Sequence, residues 1–480
     1  MFRFTILLCV VMLNTQLLSA QENHLQGEFW RRQALQDVLE SWTRYARDET
    51  NGAFHTTLGH DWTPEGDTMK YPGMIARHLF SYAAAYLLEG RDDHLDRARK
   101  IFTYLICNGW DPQYGGWYTS LHPNGEVAHD GKDLFMNTYA ITGLAMYWLV
   151  TRDTAAEVYL RKSIEFIESN AWDREFGGGY VSSLFRDGRV NDSAKRFSPQ
   201  LAPLSGYLLY LYSVTRDPDY LSMAERILDT VMEHMYDAAS GWILEGFDRT
   251  WQPIEAENHW MNTGHNLEVA WMLLRLYQFN RREQYLCQAL ELSQRLVKLA
   301  FDGERGYWYH RLRVDNPEER TGDCPWWVQA YGNMHMLYLF RQTGDSSYFH
   351  FFSQGARFWN SHFIDHQYGG AFLSVDPEGN PVDPRKAVAT KTSYHSVEHG
   401  MINFLYLDFW TNRKGLTLNY DLNIHRTTKW YPLPIEDTSY KVKDLHINGK
   451  PSGGFNGRHG YVRLKPRNAN SIKITLIDPD

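Results

Sequence analysis

The chain has 480 residues, 43% hydrophobic and 22% charged, the composition of a globular protein large enough for one big domain or two to three ordinary ones. Its formal net charge is −8 and it carries no run of Lys or Arg, which argues against nucleic acid or an anionic membrane as a partner. Aromatic residues reach 15%, and such rings suit both a packed core and the apolar faces of sugars.

The chain opens with "MFRFTILLCVVMLNTQLLSA", one basic residue (Arg3), an apolar stretch and a small-residue end at Ser19-Ala20. This is the pattern of a secretory signal peptide over residues 1–20, too short for a comfortable membrane span. Cleavage is expected after Ala20, giving an exported protein, periplasmic or extracellular, with no membrane insertion of the mature chain. Its cysteines are then Cys107, Cys287 and Cys324, an odd number that allows at most one internal disulfide.

From about residue 30 the chain repeats. Gly52, Gly115, Gly178, Gly241, Gly306 and Gly369 mark similar turns, spaced by 63, 63, 63, 65 and 63 residues. A fixed period of this length marks a repeat architecture. Between these turns lies a second punctuation: "EGRDDHL", "TRDTAAEVYL", "TRDPDYL", "NRREQYL" and "TGDSSYF". Each reads as a helix end, a short turn and the first turn of the next helix. The helix before it is apolar all round ("NLEVAWMLLRLYQF"), and the one after it is amphipathic ("YLCQALELSQRLVKLAF"). The first kind is buried and the second faces water on one side. Six such hairpins predict an all-α (α/α)6 barrel over residues 21–412, with an open solenoid as the alternative. The repeat is complete near residue 412, so the barrel is expected to fold alone. Beyond Gly415 the pattern alternates, and Asn448-Gly449 signals a hairpin. Residues 415–480 are therefore expected to form a small β appendage against the barrel.

In such a barrel all inner helices begin at one mouth, bringing free N–H groups and positive dipole ends with them. The helix starts carry Arg77, Asn137 and Tyr139, Gln200, His265 and Glu268, Trp326, Trp327 and Gln329, and His395. Positions 77, 137, 200, 265, 329 and 395 are spaced by 60, 63, 65, 64 and 66, so they share the repeat's phase and are expected to line one cavity. Taken singly, each has a plainer reading: a histidine at a turn, an indole in the core, an arginine paired with a carboxylate. His395 and His399, one helical turn apart, also have the spacing of a metal-ligand pair. No second ligand cluster accompanies them, and no metal or cofactor is expected. Imidazoles, an arginine, a carboxylate, amides and indoles at one mouth fit proton transfer on a small carbohydrate.

The motifs "ARHLFSYAAAYLLEGRDDHLDRA", "WDPQYGGWYTSLHPNGEV", "TGHNLEVAWMLL", "WWVQA" and "KTSYHSVEHG" resemble, in order and spacing, the N-acylglucosamine 2-epimerase family, which includes cellobiose 2-epimerases and aldose–ketose isomerases. The resemblance covers residues 30 to 410 and implies an (α/α)6 barrel. It also implies that His265 and His395 are acid and base at sugar C2, beside Arg77, Glu268 and Tyr394 and the Trp326-Trp327 pair. The chain departs from the family at Tyr331, where glutamate is common, at Ser198 and Ala202, and at Phe135, where tyrosine is common. Those departures suggest a substrate unlike that of the best-known members. Three readings stay open: a carbohydrate 2-epimerase or isomerase, a glycan hydrolase or lyase on the same toroid, and a sugar-binding protein without catalysis. A hydrolase needs two carboxylates at the mouth, for which Glu268 and Glu398 are the candidates. A lyase would use Tyr394, His395 and Arg77.

Overall fold

A computed structural model describes residues 23–478 apart from Thr438 and Arg458. The leader read over residues 1–20 lies outside the described residues.

Among the described residues the inner helices are Pro72–Glu89, Leu134–Thr151, 197–215, Thr263–Asn280, Trp326–Thr343 and 394–411. Each packs against the next, and the last packs against the first, which closes the ring. The outer helices are 27–45, 92–109, Thr154–Asn170, Pro218–His234, Glu283–Ala300 and 346–363. Helix 27–45 comes first in the chain yet covers the last inner helix, so the two ends of the repeat region are sewn together. The inner helices are buried on nearly every face. No described helix is long and apolar enough to cross a membrane.

The repeated glycine is explained by an aspartate four or five residues before it. Asp48, Asp111, Asp173, Asp237, Asp302 and Asp365 each accept hydrogen bonds from the backbone N–H groups two and three residues on. The glycine N–H then returns to the aspartate carbonyl, as from Gly115 to Asp111 at 3.0 Å. That closure needs positive φ, 79° at Gly115 and 75° at Gly369, which glycine takes without a Cβ clash. In four of the turns a buried lysine pairs with the aspartate: Lys70 with Asp48, Lys132 with Asp111, Lys195 with Asp173 and Lys386 with Asp365.

Four of the six hairpins are tied to the following inner helix in one way. The Asn137 side chain accepts from Trp117 N and donates to Trp117 O, at 2.9 and 3.1 Å. Gln200 does this to Tyr180, Asn266 to Ile243 and Gln329 to Trp308. These buried amides satisfy backbone groups that would otherwise be unpaired.

Beyond the ring, strands Leu416–Ile424, Arg467–Ile477, Lys441–Ile447 and Lys450–Pro451 form an antiparallel sheet in that spatial order. Leu416–Ile424 buries alternate residues, one face of a pleated strand, and packs on the first two inner helices. The sheet region is bound in by more than apolar contact. Arg275, on an inner helix, pairs with Glu436 through an Nε–Oε1 hydrogen bond of 2.8 Å, and both side chains are 0% exposed. Cys107, Cys287 and Cys324 are all free thiols.

Candidate active site

The starts of the inner helices enclose a cavity of about 310 Å³. Arg77, Tyr139, His265, Glu268, Trp326, Trp327 and His395, seven of the side chains expected there, all line it; of the six positions that share the repeat's phase, Arg77, His265 and His395 are on it. Three others are not on it. Asn137, Gln200 and Gln329 are consumed by the hairpin clamps, with both polar ends of each amide bonded to main chain, and are structural rather than substrate-binding residues. Tyr394 is also off the cavity wall: its hydroxyl points inward to Glu398 at 3.0 Å. His399 turns away from His395. It is packed between Trp30 and Trp359, with its Nε2 3.2 Å from Asn333 Nδ2, and burial lowers its pKa to about 3. The described residues contain no group of three or more His, Cys, Asp and Glu arranged to hold a metal ion.

His265 is held from three sides. Its ring stacks on Phe197 at 4.0 Å between centroids and 18° between planes. Its Nδ1 lies 2.8 Å from Glu245 Oε2. A carboxylate only accepts, so the proton of a neutral imidazole sits on Nδ1 and Nε2 keeps a free lone pair. Gly264 allows the third contact. A Cβ there would lie 2.2 Å from Trp327 Cζ3, so only glycine lets this helix start approach the indole. Trp327 in turn neighbours both imidazoles, its ring centroid 5.2 Å from His265 and 6.5 Å from His395.

His395 is buried among Trp326, Tyr331 and Tyr394. Burial, reinforced by the Arg77 charge, holds its pKa well below the histidine norm, so the ring is neutral at neutral pH. Behind it, Glu398 is 0% exposed and burial pushes its carboxyl up to about 8. Tyr394 and Tyr210 both donate to Glu398 Oε1, at 3.0 and 3.2 Å. Oε2 is left without a hydrogen-bond partner, 3.7 Å from His395 Nδ1. Glu398 thus holds a proton at neutral pH beside an uncharged imidazole.

Arg77 is fixed by a hydrogen bond from Nη1 to Thr390 O at 2.8 Å and by Tyr139, whose ring centroid is 3.5 Å from the guanidinium carbon. No carboxylate pairs with it among the described residues, and its cationic face is available to the cavity. Glu268 is buried, which raises its pKa, and accepts a hydrogen bond from Tyr331 at 3.3 Å. The tyrosine that stands where the family commonly has glutamate therefore supports the carboxyl one ring neighbour away.

Glu245, Phe197, Thr390, His310 and Arg311 complete the site and were not expected. Glu245 and His310 had a signal: each lies four residues after its turn glycine, Gly241 and Gly306, and so projects from a hairpin toward the mouth. His310 pairs with Asp323 at 2.8 Å.

The model of the N-acylglucosamine 2-epimerase (GlcNAc 2-epimerase) family matches residues 52–398, and the chain belongs to that family. The cellobiose 2-epimerase of Bacteroides fragilis is 26% identical over 375 residues, spanning 75% of this chain and 93% of that protein. The D-mannose isomerase of Marinomonas mediterranea is 24% identical over 371 residues, 73% and 90% of the two chains. The structure of the cellobiose 2-epimerase from Spirochaeta thermophila superposes with a TM-score of 0.73 at 22% identity, over 80% of this chain and 96% of that one.

Proposed function

We propose that this protein is a sugar 2-epimerase, or the closely related aldose–ketose isomerase, working by proton transfer at C2 of an open-chain sugar. The observation that carries this reading is the convergence of two imidazoles, His265 and His395, on one cavity with an Arg77 that no carboxylate pairs among the described residues. A proton α to a carbonyl is weakly acidic, so its removal needs a base near neutral pKa and a cation for the developing enediolate oxygen. His265 Nε2, oriented through Nδ1 by Glu245, is suited to the first task. Arg77 and the helix N-termini are suited to the second. His395, on the wall of the same cavity, exchanges a proton with the opposite face of the intermediate in this reading. Trp326 and Trp327 offer flat faces to the sugar ring.

The hydrolase reading loses its second carboxylate. Glu398 is fully buried behind Tyr394 and His395 and does not line the cavity, leaving Glu268 alone on its wall. The family relationship and the paired imidazoles favour the isomerase.

The test is turnover in D2O of candidate aldoses and β-linked disaccharides. An epimerase or isomerase exchanging its proton with solvent leaves deuterium at C2. His265→Asn and His395→Asn should each lower turnover by about two orders of magnitude or more, with sugar binding retained on Trp327 and Arg77. Turnover without deuterium at C2, or full activity in either variant, would refute the mechanism. No metal or cofactor enters this route, so activity should survive dialysis against a strong chelator. The leader pattern supports export, which N-terminal sequencing of the mature protein would test: a start at Gln21 is expected.

A further inference from the structure

A second cavity lies at the other end of the inner helices. About 590 Å³ opens where the second inner helix and its outer partner meet the appendage hairpin around residues 423–430. That is the size of a pocket for an organic ligand, not for one inorganic anion. Its walls carry Trp148, Arg152, Arg161, Arg426, Lys429 and Trp430.

The charge there is not internally balanced. Of the two acids on the lining, Glu157 is engaged by Arg161 at 3.0 Å, and Asp217 caps the following helix by accepting from Asp219 N at 3.1 Å. Arg152 makes no side-chain hydrogen bond or ion pair among the described residues. Its guanidinium carbon lies 3.7 Å from the Trp148 ring centroid. Lys429 likewise rests over a ring, 5.0 Å from the centroid of Tyr461. Trp148 and Trp430, 6% and 1% exposed, contribute ring surface to the same walls. Unpaired cations beside aromatic side chains match a ligand that combines anionic groups with a ring having apolar faces.

We propose that this seam between barrel and appendage is a second saccharide site, one that takes an acidic oligosaccharide through its carboxylate or sulfate groups. It is separate from the mouth, on the opposite ends of the inner helices, and does not depend on the catalytic reading. The sheet region then has a binding role as well as a covering one, holding an acidic glycan chain to the protein while the mouth works on a sugar end.

The experiment is calorimetric titration of the full chain with trigalacturonate, a chondroitin sulfate disaccharide, cellotriose and inorganic sulfate. One of the two acidic saccharides should bind with an affinity that falls as salt rises, and which of them binds tells carboxylate from sulfate. Arg152→Ala should weaken that binding about ten-fold or more. Arg426→Ala/Lys429→Ala, on exposed side chains that leave the fold intact, should weaken it in the same direction. His265→Asn/His395→Asn should bind as the parent does. The proposal is overturned if neither acidic saccharide binds at millimolar concentration, or if cellotriose or sulfate binds as tightly. It is also overturned if the mouth variant abolishes binding, or if both seam variants leave it unchanged.

Discussion

Glu245 and His265 form a carboxylate–imidazole pair at 2.8 Å that joins a hairpin of one repeat to the inner helix that follows it. The contact fixes both the ring orientation and the tautomer of the imidazole, leaving Nε2 as the acceptor that faces the cavity. Glu245→Gln preserves the shape but its amide can present N–H or C=O to Nδ1, and it no longer stabilises an imidazolium. Turnover should fall about ten-fold or more, with substrate KM little changed, because the carboxylate itself does not line the cavity. Steady-state kinetics checks this, and a change confined to KM would show that Glu245 binds sugar instead.

The hairpin clamps predict a separation of stability from binding. Gln329→Ala strips partners from both the N–H and the C=O of Trp308. Leaving such buried groups unsatisfied costs about 1–3 kcal/mol each. Denaturant unfolding should show that loss while sugar affinity stays near the parent value. Unchanged stability with weakened binding would return Gln329 to the substrate.

Glu398 sets a pH dependence of stability. Its folded pKa of about 8 lies above the ordinary value of 4.5, so the native state holds a proton that the unfolded chain has released. Its contribution is fully present below the unfolded pKa and is lost as pH rises through the folded one. The parent should therefore lose melting temperature between pH 5 and pH 9 more steeply than Glu398→Gln, which stays neutral throughout. Parallel curves for the two proteins would show that Glu398 is ionised in the fold.

Arg275 and Glu436 tie the barrel to the appendage, so the barrel is now expected not to fold alone. Removing one partner of a fully buried pair leaves an uncompensated charge, at a cost of about 3–5 kcal/mol. Glu436→Ala should destabilise the whole protein by about that much, and a chain ending at residue 412 should fail to melt cooperatively. A truncated chain with a sharp, parent-like transition would show that Arg275 finds water or another acid when the appendage is gone.

Much of this was legible in the chain itself. The period of about 63 residues located every turn, because positive φ and an aspartate acceptor are local demands that any copy of the turn must meet. The change from helical to alternating pattern at Gly415 located the sheet. His265, His395 and Arg77 were found by their common phase, since inner helices of similar length present equivalent positions to the same mouth.

Phase alone could not separate a residue that faces the cavity from its neighbour that faces a hairpin. Asn137, Gln200, Asn266 and Gln329 are spaced by 63, 66 and 63 residues, and His265 is one residue out of that series. One residue is about 100° of helix rotation. That angle directs Asn266 to the backbone of Ile243 and His265 to the sugar cavity, while repeat lengths varying by two or three residues conceal it. The partners that tune the site, Glu245 for His265 and Glu398 for His395, are likewise chosen by packing across elements or by burial. Neither distance nor desolvation is written in residue order. The repeat and the residue types with chemical capacity belong to the sequence; which of them meet, and in which protonation state, was decided by closing the ring.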